Sequence, residues 1–192
     1  MDKSNGYEEI AATFISARGT LHDVGTSSVR RWASMLPTAA TVLDLGCGTG
    51  VPVTRTLMEE GITVYGIDAS PTLVNAFRKN FPHAPIACEA AEDSTFFNRK
   101  FDGIIAWGLM FLLGEEPQEL VIRKAAKALK SGGEFLFTAP YQQAEWRDLM
   151  TGRLSKSLGS QRYRELLSAA GLFVAEEFQD EGENHYYRAT TK

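Results

Sequence analysis

VLDLGCGTG, residues 42–50, decides the fold. Its first half is an apolar, β-branched run that reads as a strand, and its second half places Gly46, Gly48 and Gly50 in the turn that follows. A ligand lying against the backbone at a strand end needs residues without a Cβ, and glycines meet that need. The next apolar run, VYGIDAS, carries Asp68, 22 residues after Gly46. A carboxylate there can accept both hydroxyls of a ribose bound where the strand order reverses. Spacing narrows the choice of nucleoside. A dinucleotide fingerprint is G-x-G-x-x-G, whereas here the glycines run G-x-G-x-G and the third dinucleotide position falls on Val51. Asp44, just ahead of the turn, would repel a pyrophosphate and suits an ammonium group, directly or through water.

Working outward, short β-branched runs alternate with amphipathic segments, the pattern of a parallel sheet with crossover helices. The spacing predicts helices over 7–18 and 27–36, the second capped by Thr26 or Ser27 and stopped by Pro37. After the strand over 41–45, Pro52 opens a helix that ends at Gly61. A strand over 62–67 follows, then a helix begun by Ser70-Pro71 and running to 81. Strands are expected over 85–88 and 101–107. Pro117 opens the next helix, Gly132-Gly133 stops it, and a strand covers 134–139. Residues 141–159 read as a polar loop, 160–170 as a helix. Strands over 172–178 and 185–190 close the chain as an antiparallel hairpin around the turn DEGEN.

The 192-residue length suits one domain, with hydrophobic residues at 44% and charged residues at 23%. We expect a cap over 1–38, a ligand-binding core over 39–140 and an acceptor-side segment over 141–192. A net charge of −4 gives no general pull toward polynucleotides or anionic membranes. The two cysteines, Cys47 and Cys88, read as reduced thiols of a cytoplasmic protein, since a disulfide at Cys47 would compete with the turn. The first residues carry no signal-type apolar stretch, and the longest apolar run, residues 103–114, is too short to span a bilayer.

Residues 44–50, DLGCGTG, resemble the first motif of class I S-adenosylmethionine (SAM)-dependent methyltransferases, in particular the small single-domain members of type 11/12 kind. Asp68 resembles the ribose-binding acid of that family. Ala91-Glu92, with Phe101-Asp102 downstream, resembles its loop after the third strand and the start of the fourth. The resemblance covers residues 41–139, and the closing hairpin is similar to the family's reversed last strand. It implies a doubly wound, Rossmann-like sheet of order 3-2-1-4-5-7-6 with the last strand antiparallel, and amino-terminal helices over the cofactor site. It further implies SAM as cofactor, S-adenosylhomocysteine (SAH) as product, and Asp44, Gly46, Cys47, Gly48, Gly50, Asp68, Ala69, Ala91, Glu92 and Trp107 around the donor. In the family an Asp or Asn just before the alanine often meets the adenine. Ala90 stands there in this chain, and Glu92 is the substitute.

The acceptor should sit outside the carboxyl ends of the parallel strands. That places the loop after Trp107, the polar stretch after Ala139 and the DEGEN turn around one crevice, with Tyr7 and Arg18 reaching it from the first helix. Transfer of a methyl group from a sulfonium needs alignment, desolvation and, for a hydroxyl or ammonium acceptor, removal of one proton. His185 is the candidate base because an unperturbed imidazole titrates near neutrality, and Asp180 can orient it or act itself. Arg147 and Arg153 can hold an anionic group of the acceptor; Trp146, Asn184 and Tyr186 are further candidate contacts. Packing within a strand equally fits His185 and Tyr186, and DEGEN equally fits a plain hairpin turn with Gly182 at its bend.

The expected function is methyl transfer to O or N of a small molecule by a monomer or homodimer, with no metal and no nucleic-acid partner. Residues 106–109, AWGL, lack the NPPY-like motif of adenine or glutamine-amide methyltransferases. A nucleic-acid or protein methyltransferase and a SAM-binding module without transfer activity remain the alternatives, with a nicotinamide oxidoreductase behind them.

Overall fold

The structure, a computed structural model, describes residues 3–18 and 24–192, with Arg18 by its backbone only. Two short helices come first, α1 (Ala11–Arg18) and α2 (Thr26–Ala33). The core then alternates β1 (Thr41–Leu45), α3 (Val53–Glu59), β2 (Thr63–Asp68), α4 (Pro71–Asn80), β3 (Ile86–Cys88), β4 (Phe101–Ala106), α5 (Glu115–Ala128) and β5 (Leu129–Thr138). Beyond it lie a hairpin of β6 (Gln143–Arg147) and β7 (Leu154–Leu158), then α6 (Ser160–Ala169), β8 (Phe173–Gln179) and β9 (His185–Thr190).

Seven strands form one sheet in the order β3-β2-β1-β4-β5-β9-β8. β1 to β5 pair in parallel, and β9 runs antiparallel to both β5 and β8. This is the expected doubly wound order with its reversed strand. Side chains alternate across the sheet as the pleat requires. Leu43, Leu45, Ile104 and Phe137 pack with Val121, Ile122 and Tyr163 of α5 and α6. Val42, Ile105 and Leu136 face the other way, onto Val29 and Trp32 of α2 and Val53 and Leu57 of α3. Being covered on both faces, β1 and β4 are apolar almost without interruption. Two carboxylates interrupt them: Asp102 near the start of β4, half-buried, and Asp44, with 1% exposure in a central strand.

Several boundaries differ from the sequence reading for identifiable reasons. α1 starts at Ala11 because residues 4–10 form turns, with Tyr7 N–H donating to Ser4 O at 3.0 Å. The residue preceding α2 is Gly25 at φ 79, and neither Thr26 nor Ser27 caps it. α5 begins at Glu115, so Pro117 lies in its first turn, where its missing N–H has no helical partner to lose. Gly132-Gly133 belong to β5 rather than to a helix stop. The pairing of β5 with β4 shifts register between Phe101 and Gly103, and Gly132 takes φ 71 in that irregularity. The predicted polar loop contains the β6–β7 hairpin. Asp148 Oδ1 accepts the N–H groups of Met150 and Thr151 at 3.0 and 2.8 Å, building its turn. No helix among the described residues is long and apolar enough to cross a membrane.

Candidate active site

The carboxyl ends of β1, β2, β3 and β4 open into one cavity. Its floor is the turn after β1. The Gly46 and Cys47 N–H groups both donate to Ile67 O, at 2.8 and 3.1 Å, and tie the turn to the end of β2. Gly48 takes φ 56 and faces Phe14, 3.7 Å from where a Cβ would stand. Gly50 serves differently. It lies outside the cavity wall, and a Cβ there would sit 2.4 Å from the Phe81 ring. That glycine lets α4 pack against the turn.

Two carboxylates flank the turn. Asp44 accepts the Thr54 hydroxyl at 2.7 Å. Burial pushes its carboxyl up to about 7, against the Thr54 bond and with help from the charge of Asp68. Asp68 accepts Gly48 N–H through one oxygen at 2.8 Å and Ser70 N–H through the other at 2.9 Å. Burial raises its carboxyl too, and the two backbone bonds oppose the shift. Each Asp68 oxygen keeps a lone pair for a further donor, so the residue fits a vicinal diol. Cys47 is buried between these acids, and desolvation raises its thiol well above the ordinary value, which leaves it unreactive.

The loop after β3 supplies Glu89, Ala90, Ala91 and Glu92, and Lys124 of α5 anchors it by donating to Ala91 O and Glu92 O at 2.9 and 2.8 Å. The segment after β4 supplies Trp107, Gly108 and Leu109. Trp107 Nε1 donates to Tyr186 Oη at 2.8 Å, and Tyr186 Oη donates to Asp180 at 2.8 Å. Lys3, Ser4, Asn5, Tyr7 and Phe14 close the cavity from above, with the Tyr7 and Phe14 rings edge to face at 5.3 Å. This strap is fastened by Glu8. Its carboxylate accepts Thr72 N–H at 3.1 Å, Thr72 Oγ1 at 2.7 Å and the Ser70 hydroxyl, all at the amino end of α4. Glu9 pairs with Arg153 of the hairpin at 2.9 Å.

The structure therefore brings Asp44, Gly46, Cys47, Gly48, Asp68, Ala69, Ala91, Glu92, Trp107 and Tyr7 into one cavity. It does not bring the other sequence candidates there. His185 Nε2 lies 3.3 Å from Glu177, with its ring edge-on to Tyr141 and Tyr187. Asp180 is engaged in its own turn, accepting from Gly182 N–H, Asn184 N–H and the Asn184 side chain as well as from Tyr186. Tyr186 is buried and stacks on Phe178 at 4.7 Å. Trp146 rests on Phe111, while Arg147 and Arg153 are exposed. The Arg18 side chain falls outside the described residues. Sequence reasoning missed Asn5, Glu8, Phe14 and Leu109. Glu8 acts across 62 positions of chain, which leaves no local signal.

Comparison with known proteins agrees with this geometry. Residues 42–133 match the model of a methyltransferase domain family. The chain is 32% identical over 137 residues to the cypemycin N-terminal methyltransferase of a Streptomyces species, covering 69% of this chain and 56% of that one. It spans about half the length of the curated relatives it matches. Among solved structures, a TehB-like SAM-dependent methyltransferase from Corynebacterium glutamicum superposes with a TM-score of 0.74 at 22% identity, covering 97% of this chain and 98% of that one. A SAM-bound amino pentose methyltransferase from Micromonospora echinaspora superposes with a TM-score of 0.74 at 16% identity, covering 94% and 97%. Residues 42–133 form a methyltransferase domain, and the chain that carries it has the class I, Rossmann-like architecture of the SAM-dependent methyltransferases.

Proposed function

We propose that this protein binds SAM and transfers its methyl group to O or N of a small-molecule acceptor, releasing SAH. The observation that carries the reading is the pair Asp44 and Asp68 on either side of a bare-backbone turn in one cavity. Asp68 accepts the ribose hydroxyls, and the turn lets the amino-acid moiety lie on backbone. Asp44 faces the ammonium, whose charge favours the ionised carboxylate that burial disfavours. When bound, the donor supplies an activated methyl on a leaving group that departs neutral. The chain's own task is then alignment and exclusion of water, which Tyr7, Phe14 and Trp107 perform as an aromatic wall over the cavity.

A small acceptor is supported by the strap that roofs the cavity and by the net charge of −4. The name of one similar protein, an amino pentose methyltransferase, points the same way. We assign Asp180 a positioning role: it fixes Tyr186, which orients the Trp107 indole. The packing of His185 between two tyrosines supports a structural role for it. The free thiols are compatible with a reducing, cytoplasmic setting. Calorimetric titration with SAM, SAH and NADH, followed by methyl transfer to a metabolite panel, tests the reading. Binding of SAH with a 1:1 stoichiometry and transfer to at least one metabolite are expected. Tight binding of NADH in place of SAH would overturn it.

A further inference from the structure

Two residues that line the cavity each carry a buried polar atom with no hydrogen-bond partner among the described residues: Glu92 Oε2 and Asn5 Nδ2. One is an acceptor and the other a donor. Buried groups are normally paired, so an unmatched donor and acceptor in one cavity point to a ligand that presents the complementary pair.

Both side chains are held in place. Lys3 Nζ lies 3.5 Å from the other Glu92 oxygen and 2.6 Å from Asp93. The Glu92 carbonyl accepts Lys124 at 2.8 Å. Lys3 stands two residues before Asn5, so this ion pair holds the strap against the loop that carries Glu92. Asn5 takes φ 52, a left-handed conformation that asparagine tolerates better than most residues. The turn around it is fixed by Tyr7 N–H to Ser4 O and by Glu8 N–H to Ser4 Oγ, both at 3.0 Å.

We propose that Asn5 and Glu92 together read the Watson–Crick edge of the donor's adenine, Glu92 accepting from the exocyclic amino group and Asn5 donating to the adjacent ring nitrogen. The inference rests on the donor reading above and adds a base-reading residue on the strap. Ala90 offers no side-chain group for this edge, and the Asn5–Glu92 pair supplies both halves of it. Hypoxanthine reverses the pattern, with an oxygen acceptor where adenine has its amino group and an N–H where adenine has a lone pair. The site should reject it.

The test is calorimetry of the full-length protein with SAH and with S-inosyl-L-homocysteine, which carries hypoxanthine. The wild type should bind SAH more tightly by about tenfold or more, the scale of one or two mismatched buried hydrogen bonds. Asn5→Asp keeps the shape and the left-handed tolerance but removes the donor. Glu92→Gln adds a donor facing the base. Each should narrow the preference, and the double variant should abolish or invert it. Equal binding of the two ligands by the wild type overturns the proposal, and that comparison needs no variant to fold. So does an unchanged preference in variants whose melting temperature is intact. In either case SAH still binds, and the donor reading stands. If neither ligand binds, the donor reading and the proposal fall together.

Discussion

Asp68→Asn separates a ligand-binding acid from a loop fastener. The substitution keeps the shape and one oxygen but replaces the other oxygen with an NH2 group. In the protein as it stands, the two oxygens accept Gly48 N–H and Ser70 N–H at 2.8 and 2.9 Å. An Asn can satisfy one of these and turns a donor toward the other, at about 1–3 kcal/mol of stability. Set against a typical total of about 5–15 kcal/mol, the variant should remain folded. For a chain of this size its melting temperature should fall by roughly 2–4 °C per kcal/mol. Binding should suffer more. Two ribose hydroxyls donating to a carboxylate are charge-assisted, at about 1.5–3 kcal/mol each. Asn keeps one neutral acceptor, so the loss is about 2–4 kcal/mol, or roughly 30- to 1,000-fold in Kd. Titration with SAH and thermal melting of the same samples read both effects. If melting drops while the SAH affinity stays within twofold, Asp68 only staples the turn and the ribose assignment is wrong.

The raised carboxyl of Asp44 carries a pH signature. Its value of about 7 when folded, against 3.8 as a free group, means that the folded state holds a proton the unfolded chain has lost between those values. The stability it contributes is present below pH 4 and is lost as pH rises toward 7, up to roughly 4 kcal/mol; Asp44→Asn should flatten that part of a pH–melting curve, and an unchanged curve would refute the assignment. SAH binding at pH 6 should release a proton, seen by calorimetry in buffers of different ionisation enthalpy, and the release should vanish in the same variant. Glu8→Ala removes the carboxylate from the amino end of α4, which should lower stability by about 1 kcal/mol, weaken SAH several-fold and speed proteolysis of the strap; unaltered proteolysis would count against a fastening role. Asp180→Asn should leave SAH affinity near wild type and shift Trp107 fluorescence while lowering turnover, whereas His185→Ala should change neither affinity nor turnover by more than about twofold. A large loss of turnover in His185→Ala with SAH affinity intact would restore the histidine as the base.

The donor side was legible because it is built from neighbours in sequence. The turn glycines, Asp44 and Asp68 lie within 25 positions of each other, and the strand that leads into the turn, β1, is apolar but for Asp44 and Thr41. Ser70 caps α4 as its Ser-Pro pair predicts, accepting Leu73 N–H at 3.2 Å. The acceptor side was less legible. The β6–β7 hairpin is written QAEWR and LSKSL, without the apolar alternation that marks a half-buried strand. His185 and Asp180 do lie at the carboxyl end of the sheet, as topology requires, but β5 separates β9 from β4. At about 4.8 Å per strand, that puts the start of β9 near 10 Å from the cleft edge. Topology fixes the end of the sheet on which a residue lies, but not how far along that edge it stands.

Ser70 joins the donor acid to the strap. Its N–H donates to Asp68 and its hydroxyl to Glu8, and the charge of Glu8 contributes to the upward shift of the Asp68 carboxyl. A hydroxyl ligand that donates to Asp68 stabilises the ionised form, and so acts on a carboxylate whose neighbour one residue pair away holds the roof. The roof in turn carries Asn5, Tyr7 and Phe14, which line the same cavity. The floor of the cavity and the strap over it thus share one hydrogen-bond set centred on the amino end of α4.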